Sequence, residues 1–153
     1  MKIENIIRKV LREEQEEEKI LKIPGIRYFN NDWNLLQKFL ESQGNPRYSI
    51  GGDLNLSRSG IKSLGNLVRV EGDLNLYGNE SLQSLGNLEY VGGNLYLSEC
   101  KNLKSLGDLE YVGGGLDLSG TPLSEKYTEE QIRNMVEVVG NIFMEDDEDR
   151  EYN

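Results

Sequence analysis

The chain has 153 residues, 37% of them hydrophobic, a formal net charge of −10, no His and a single Cys. One domain is the prior for that length, and so low an apolar fraction suits a thin repeat fold with one ribbon of side chains inside, more than a compact globule. The charge disfavours direct contact with nucleic acid or anionic membranes, the missing His removes the commonest general base and metal ligand, and lone Cys100 excludes an internal disulfide framework or a multi-Cys zinc site.

Residues 1–23 are expected to form an amphipathic helix, with Ile3, Ile6, Ile7, Val10 and Leu11 at helical spacing. Glu13 to Glu18 is nearly all carboxylate and reads as a solvated face. Pro24-Gly25 ends the segment. Its apolar stripe is expected to dock on the rest of the chain; pairing with another copy and free movement are the alternatives. The opening residues contain no uninterrupted apolar run with a small-residue cleavage site. No stretch nears the roughly 20 apolar residues of a membrane span. An unpaired Cys suits a reducing compartment, so a cytoplasmic location is expected.

Residues 24–50 read as a helical cap. A helix is predicted over Asp32 to Gln43, with Asn31 or Asp32 as N-cap. Trp33, Leu36, Phe39 and Leu40 form its apolar face, and Gly44 and Pro46 mark its end. A helix carrying Trp and Phe immediately before a repeat array is suited to cover the array's open hydrophobic end.

Residues 51–123 say the same thing about four times. Leu-x-Leu pairs fall at Leu54/Leu56, Leu74/Leu76, Leu95/Leu97 and Leu116/Leu118, a nearly constant interval. Each pair has the period of a short strand with one buried face, stacked as one rung of a parallel sheet. Leu67/Val70, Leu88/Val91 and Leu109/Val112 are expected to close the other side of each coil. Gly72, Gly92 and Gly113 follow those Val residues at a corner needing positive φ or close backbone approach. Ser63 to Asn66, Ser84 to Asn87 and Ser105 to Asp108 suggest a further corner. Ser59, Asn79, Cys100 and Thr121 share one column, where a buried polar side chain satisfies backbone groups of the turn. Cys100 is therefore expected to be structural.

Residues 124–144 read as a C-terminal helix and strand. Thr128-Glu129-Glu130-Gln131 is a capping box, and Ile132, Met135, Val136 and Val139 follow at helical spacing. Val139 to Met144 then imitates the third repeat, with Ile142 and Met144 in the Leu positions. Residues 145–153, with six acids and one Arg, are expected to be a disordered acidic tail.

The coil sequence, as in Ser84-Leu-Gly-Asn-Leu-Glu-Tyr-Val-Gly-Gly-Asn-Leu-Tyr-Leu97, resembles the repeats of small bacterial and bacteriophage leucine-rich-repeat proteins. It is also similar to the coils of receptor L domains. A period of about 20–29 residues is that of leucine-rich-repeat solenoids. The resemblance covers residues 51 to about 144. It implies an α/β solenoid, right-handed, used as a binding surface, usually for protein, and it offers no catalytic residue to carry over.

The candidate partner-binding residues are the unrepetitive ones at repeated outward positions. One column is Asn55, Asn75, Tyr96, Asp117 and Phe143; beside it lies Tyr77, and on its other flank Asp53 and Asp73. The opposite side offers Tyr90 and Tyr111. Aromatic anchors in a polar field are a binding-surface composition. Asp53 and Asp73 read as ordinary surface acids in preference to a calcium or acid–base pair, because Asn94 and Gly115 interrupt their column. No metal, cofactor or catalytic group is expected. The expected function is a non-enzymatic protein-interaction module for a partner with a basic surface. A sharper version is an acidic phage-type inhibitor of a nucleic-acid-binding host defence (CRISPR) protein. The alternative is a structural or self-assembling protein that dimerises through its N-terminal helix.

Overall fold

A computed structural model of the protein describes residues 2–145, without the side chains of residues 16–18. It contains two parallel sheets, with helices, in an α/β repeat-like arrangement. The chain runs α1 (Ile3–Glu18), β1 (Leu21–Ile23), a 3-10 turn (Ile26–Phe29), α2 (Trp33–Ser42), β2 (Tyr48–Ile50) and β3 (Leu54–Asn55). Next come β4 (Leu67–Val70), β5 (Leu74–Asn75), β6 (Tyr90–Val91), β7 (Leu95–Tyr96), β8 (Tyr111–Val112) and β9 (Leu116–Asp117). It closes with α3 (Pro122–Lys126), α4 (Glu129–Met135), β10 (Glu137–Val138) and β11 (Ile142–Phe143). One sheet has the order β1-β2-β4-β6-β8-β10, the other β11-β9-β7-β5-β3.

Each repeat gives one short strand to each sheet. The Leu-x-Leu strands form the five-stranded sheet, as their alternation suggests. The second apolar pair does more than close the coil: it forms its own, six-stranded sheet. Two-residue strands carry too little periodicity to be seen singly; what makes them strands is the backbone of the neighbouring repeat. The inward side chains, from Ile23 through the Leu and Val of every repeat to Ile142, make one continuous core.

The register widens at both ends. In the middle, strand partners stand one regular repeat apart, as Tyr90↔Tyr111 and Leu95↔Leu116. At the start the interval is longer, with Ile23 pairing Ile50. It lengthens again at the end, where Tyr111 pairs Glu137 and Leu116 pairs Ile142. The extra residues carry the 3-10 turn and α2 at one end, α3 and α4 at the other. α2 is started as its sequence suggests: the Asp32 carboxylate accepts from the amides of Asn34 and Leu35, and Leu36 and Leu40 are buried. Its Gln37 amide donates to the Tyr48 hydroxyl at 3.1 Å, which in turn donates to the Leu64 carbonyl at 2.8 Å. The Thr128–Gln131 capping box is present. Thr121 caps α3, a short helix the repeat register hides.

Several expectations are corrected. The first helix ends at Glu18, and Leu21–Ile23 is a strand, because β2 offers it a parallel partner. α4 ends at Met135; Glu137–Val138 is a strand, and Val139 is exposed, because pairing with β8 overrides the helical spacing. The apolar stripe of α1 does not dock: Ile3, Ile6, Ile7, Val10 and Leu11 are 45–73% exposed. Among the described residues no helix is long and apolar enough to cross a membrane. Of the segment 145–153, only Glu145 is among the described residues.

The corner glycines resolve into two kinds. Gly92 and Gly113 lie outside the positive-φ region, and a Cβ on either would collide with the backbone carbonyl oxygen one repeat below, of Glu71 and Gly92 respectively. Close approach is thus their reason. Gly65, Gly86 and Gly107, in the Ser-Leu-Gly turns, have φ of 57–62°, where a Cβ is disfavoured.

Candidate interaction surface

In each Leu-x-Leu strand the first Leu is at most 1% exposed, so the following residue must face out. The register then aligns Asn55, Asn75, Tyr96, Asp117 and Phe143 across five neighbouring strands. The polar members are tied into the turn that follows. The Asn55 side-chain oxygen accepts from the Ser57 amide at 3.0 Å, and Asn75 does the same for Tyr77 at 3.0 Å. Asp117 accepts from the Ser119 amide at 3.0 Å and its hydroxyl at 2.6 Å. The aromatic members, Tyr96 and Phe143, stand 37% and 40% exposed. Neighbouring strands are about 4.8 Å apart, so the backbone positions of these two residues flank that of Asp117 at about 10 Å from each other.

Of the flanking positions, Asp53 and Asp73 are brought together, in a structural ladder. The Asp53 carboxylate accepts from the Asp73 amide at 2.8 Å, Asp73 from the Asn94 amide at 2.7 Å, and the Asn94 side-chain oxygen from the Gly115 amide at 2.8 Å. A neutral amide does the same work as a carboxylate there, so the column calls for an acceptor oxygen, not for charge. Among the described residues no group of three or more His, Cys, Asp or Glu could hold a metal ion. Tyr77 lies half-buried under Arg58, whose guanidinium carbon is 5.0 Å from the ring centre and whose Nη2 donates to the hydroxyl at 3.3 Å. Nothing in the repeat pattern announces this pair, since Arg58 falls in a turn.

The outer side of the six-stranded sheet carries a different column: Lys22, Ser49, Arg69, Tyr90, Tyr111 and Glu137 in register. Tyr90 and Tyr111 stack with centroids 5.0 Å apart and planes 10° apart. Arg69 sits 4.0 Å over Tyr90, with its Nε 2.8 Å from the Glu71 carboxylate. Arg69 thus makes a cation–π contact with the stack and an ionic one with Glu71, and the stack is half-buried. A hollow of 360 Å³ beside it is lined by Lys22, Ser49, Arg69 and Glu71 among others.

The interior polar column is also structural. Asn79, Cys100 and Thr121 are buried, whereas Ser59, in the shorter first repeat, is exposed. Asn79 donates to the carbonyls of Leu56 and Leu76, both at 2.8 Å, and accepts from the Ile61 amide at 3.3 Å. The Cys100 thiol donates to the Leu76 carbonyl at 3.1 Å. Burial pushes that thiol's pKa up, away from the thiolate that a nucleophile needs.

A second residue of consequence is likewise unannounced by the repeat pattern. Arg133 on α4, held by Glu129 at 3.1 Å, donates to the carbonyls of Val138 at 2.8 Å and Gly140 at 2.9 Å. It satisfies acceptors on and just past β10, the last strand of the six-stranded sheet, a place where unpaired backbone invites another chain. Its only sequence signal is an i,i+4 Glu–Arg pair, which is common on helices. No family model, curated protein or solved structure matches the chain significantly.

Proposed function

We propose that this chain is a leucine-rich-repeat solenoid, closed at its ends by α2 and by α3–α4, that acts as a non-enzymatic protein-interaction module in the cytoplasm. The solenoid reading is supported by the constant register of the central strands and by the widened end repeats that carry the helices. The binding surface is the outward row of the five-stranded sheet. One observation carries it: Tyr96 and Phe143 are exposed aromatics on either side of Asp117, in a row whose polar members serve local turns. Two apolar anchors about a carboxylate fit a protein surface with a basic side chain between two apolar patches. The net charge of −10 favours the same basic partner.

Co-purification from the source cells, with mass spectrometry, identifies the partner, and titration calorimetry with the purified pair then tests the surface. Tyr96→Ala with Phe143→Ala should weaken binding by at least tenfold, and Asp117→Asn by a few-fold with a shallower salt dependence. Unchanged binding by the folded double variant would remove this face from the reading. A second reading, an acidic inhibitor that covers a basic nucleic-acid-binding surface, draws on the charge alone. It requires the partner's nucleic acid to compete, and binding to weaken with added salt and on removal of residues 145–153.

A further inference from the structure

We propose that α1 joins two copies of this chain as an antiparallel helix pair. The surface is separate from the aromatic row, and the inference stands or falls independently of it. Ile3, Ile6, Ile7, Val10 and Leu11 follow the i, i+3, i+4, i+7, i+8 rule of one helical face. All five are 45–73% exposed, and none belongs to the core cluster. An isolated helix of this length is marginal in water, because packing of an apolar face supplies most of a helix's stability. The face is a few hundred Å² of contiguous apolar surface, at the upper end of what monomers leave bare.

The charge pattern selects the occupant. Residues 2–12 contain Lys2, Arg8, Lys9 and Arg12 against one acid, Glu4, whereas residues 13–18 are all Glu but for Gln15. A second copy carries both signs already. In a parallel pair the two Glu runs would lie side by side. In an antiparallel pair centred on Ile7, Ile3 of each copy faces Leu11 of the other over about 12 Å of helix. Glu13 and Glu14 of one copy then come within about a turn of Lys2 and the helix N-terminus of the other, where carboxylates are favoured. Because α1 leads directly into β1, the two sheet stacks would leave from opposite ends of the pair. The assembly would present two aromatic rows to a partner. The interface is smaller than the roughly 800 Å² per partner of a standard one, so the dimer should form in the micromolar range.

Sedimentation or light scattering of the full-length chain from about 5 to 500 µM, a span set by that affinity, should show the mass rising to twice 17.4 kDa. Ile6→Glu with Val10→Glu should hold it at the monomer mass with an unchanged circular dichroism spectrum of the sheets. A monomeric wild type over that range, or a dimer that persists in the variant, would overturn the proposal. Cysteine cross-linking tests orientation, since native Cys100 is buried. Ile7→Cys alone should form a disulfide dimer. Ile3→Cys and Leu11→Cys should cross-link when mixed and not alone. Efficient cross-linking of Ile3→Cys with itself would mean a parallel pair and overturn the arrangement.

Discussion

Replacing Asn79 by Ala removes a buried side chain that spans two repeats. The two carbonyls it serves keep other donors: Leu56 has the Ser59 hydroxyl at 2.6 Å, and Leu76 the Cys100 thiol at 3.1 Å. Losing each of those bonds costs about 1 kcal/mol. The Ile61 amide, which donates to the Asn79 oxygen at 3.3 Å, loses that acceptor in a buried place, a penalty of about 1–3 kcal/mol. The total is about 3–5 kcal/mol, against the roughly 5–15 kcal/mol that holds a domain together. Asn79→Cys imitates the next repeat, where a thiol occupies the column, and should cost about half as much because one donor remains. Urea unfolding followed by the fluorescence of Trp33, the single Trp, reads both variants. A cost below about 1 kcal/mol for Asn79→Ala, or an equal cost for Ala and Cys, would refute the argument that hydrogen bonding in this column matters more than its filled volume.

The corners, the sheet edge and the buried phenol each offer a further test. Gly113→Ala should cost about 3 kcal/mol or more, because its Cβ meets the Gly92 backbone. Gly86→Ala should cost only about 1 kcal/mol, because its φ of 57° is strained but no atom lies within 4 Å; denaturant midpoints rank the two. Arg133→Gln should raise hydrogen exchange at the Val139 and Gly140 amides, which bond to Val112 and Gly114, and leave the central repeats protected. Tyr48 is buried, which pushes its phenol well above the ordinary value, with the Gln37 hydrogen bond pulling less strongly the other way. Its neutral form therefore favours the folded state, a contribution complete below about pH 10 and lost as pH rises further, at about 1.4 kcal/mol per unit. Tyr48→Phe should flatten that alkaline loss in a series of unfolding curves between about pH 8 and 11; a loss as steep as wild type would show that other groups control it.

Much of the scaffold was legible because stacking imposes a period. Leu54 to Leu118, the Asn79 column and the Thr128 box are read from spacing and residue type, and the structure uses them accordingly. The second sheet was not legible, since Tyr90–Val91 and Tyr111–Val112 are two-residue strands without a pattern of their own. Leu21–Ile23 lies within the segment expected to be helical, and its strand state depends on β2, which the chain reaches only after the whole of α2. At the candidate surface, outward positions were legible from the pleat, but the engagement of their side chains was not. Asp53 and Asp73 look free in sequence and are committed to the next repeat's amides. Tyr77 looks exposed and is covered by Arg58.

The amino-acid sequence alone determined that the chain repeats, which Leu side chains go inside, and where α2 and α4 begin, because these follow from local periodicity and capping chemistry. Only the tertiary structure decided which outward residues remain available to a partner. That outcome depends on contacts between neighbouring repeats, where one turn's oxygen meets the next turn's amide and one turn's Arg covers the next turn's ring. Tyr96, Phe143 and the stripe of α1 are among the large apolar side chains that stay exposed once those contacts are made, and the first two are the aromatic ones on the outward row of the five-stranded sheet.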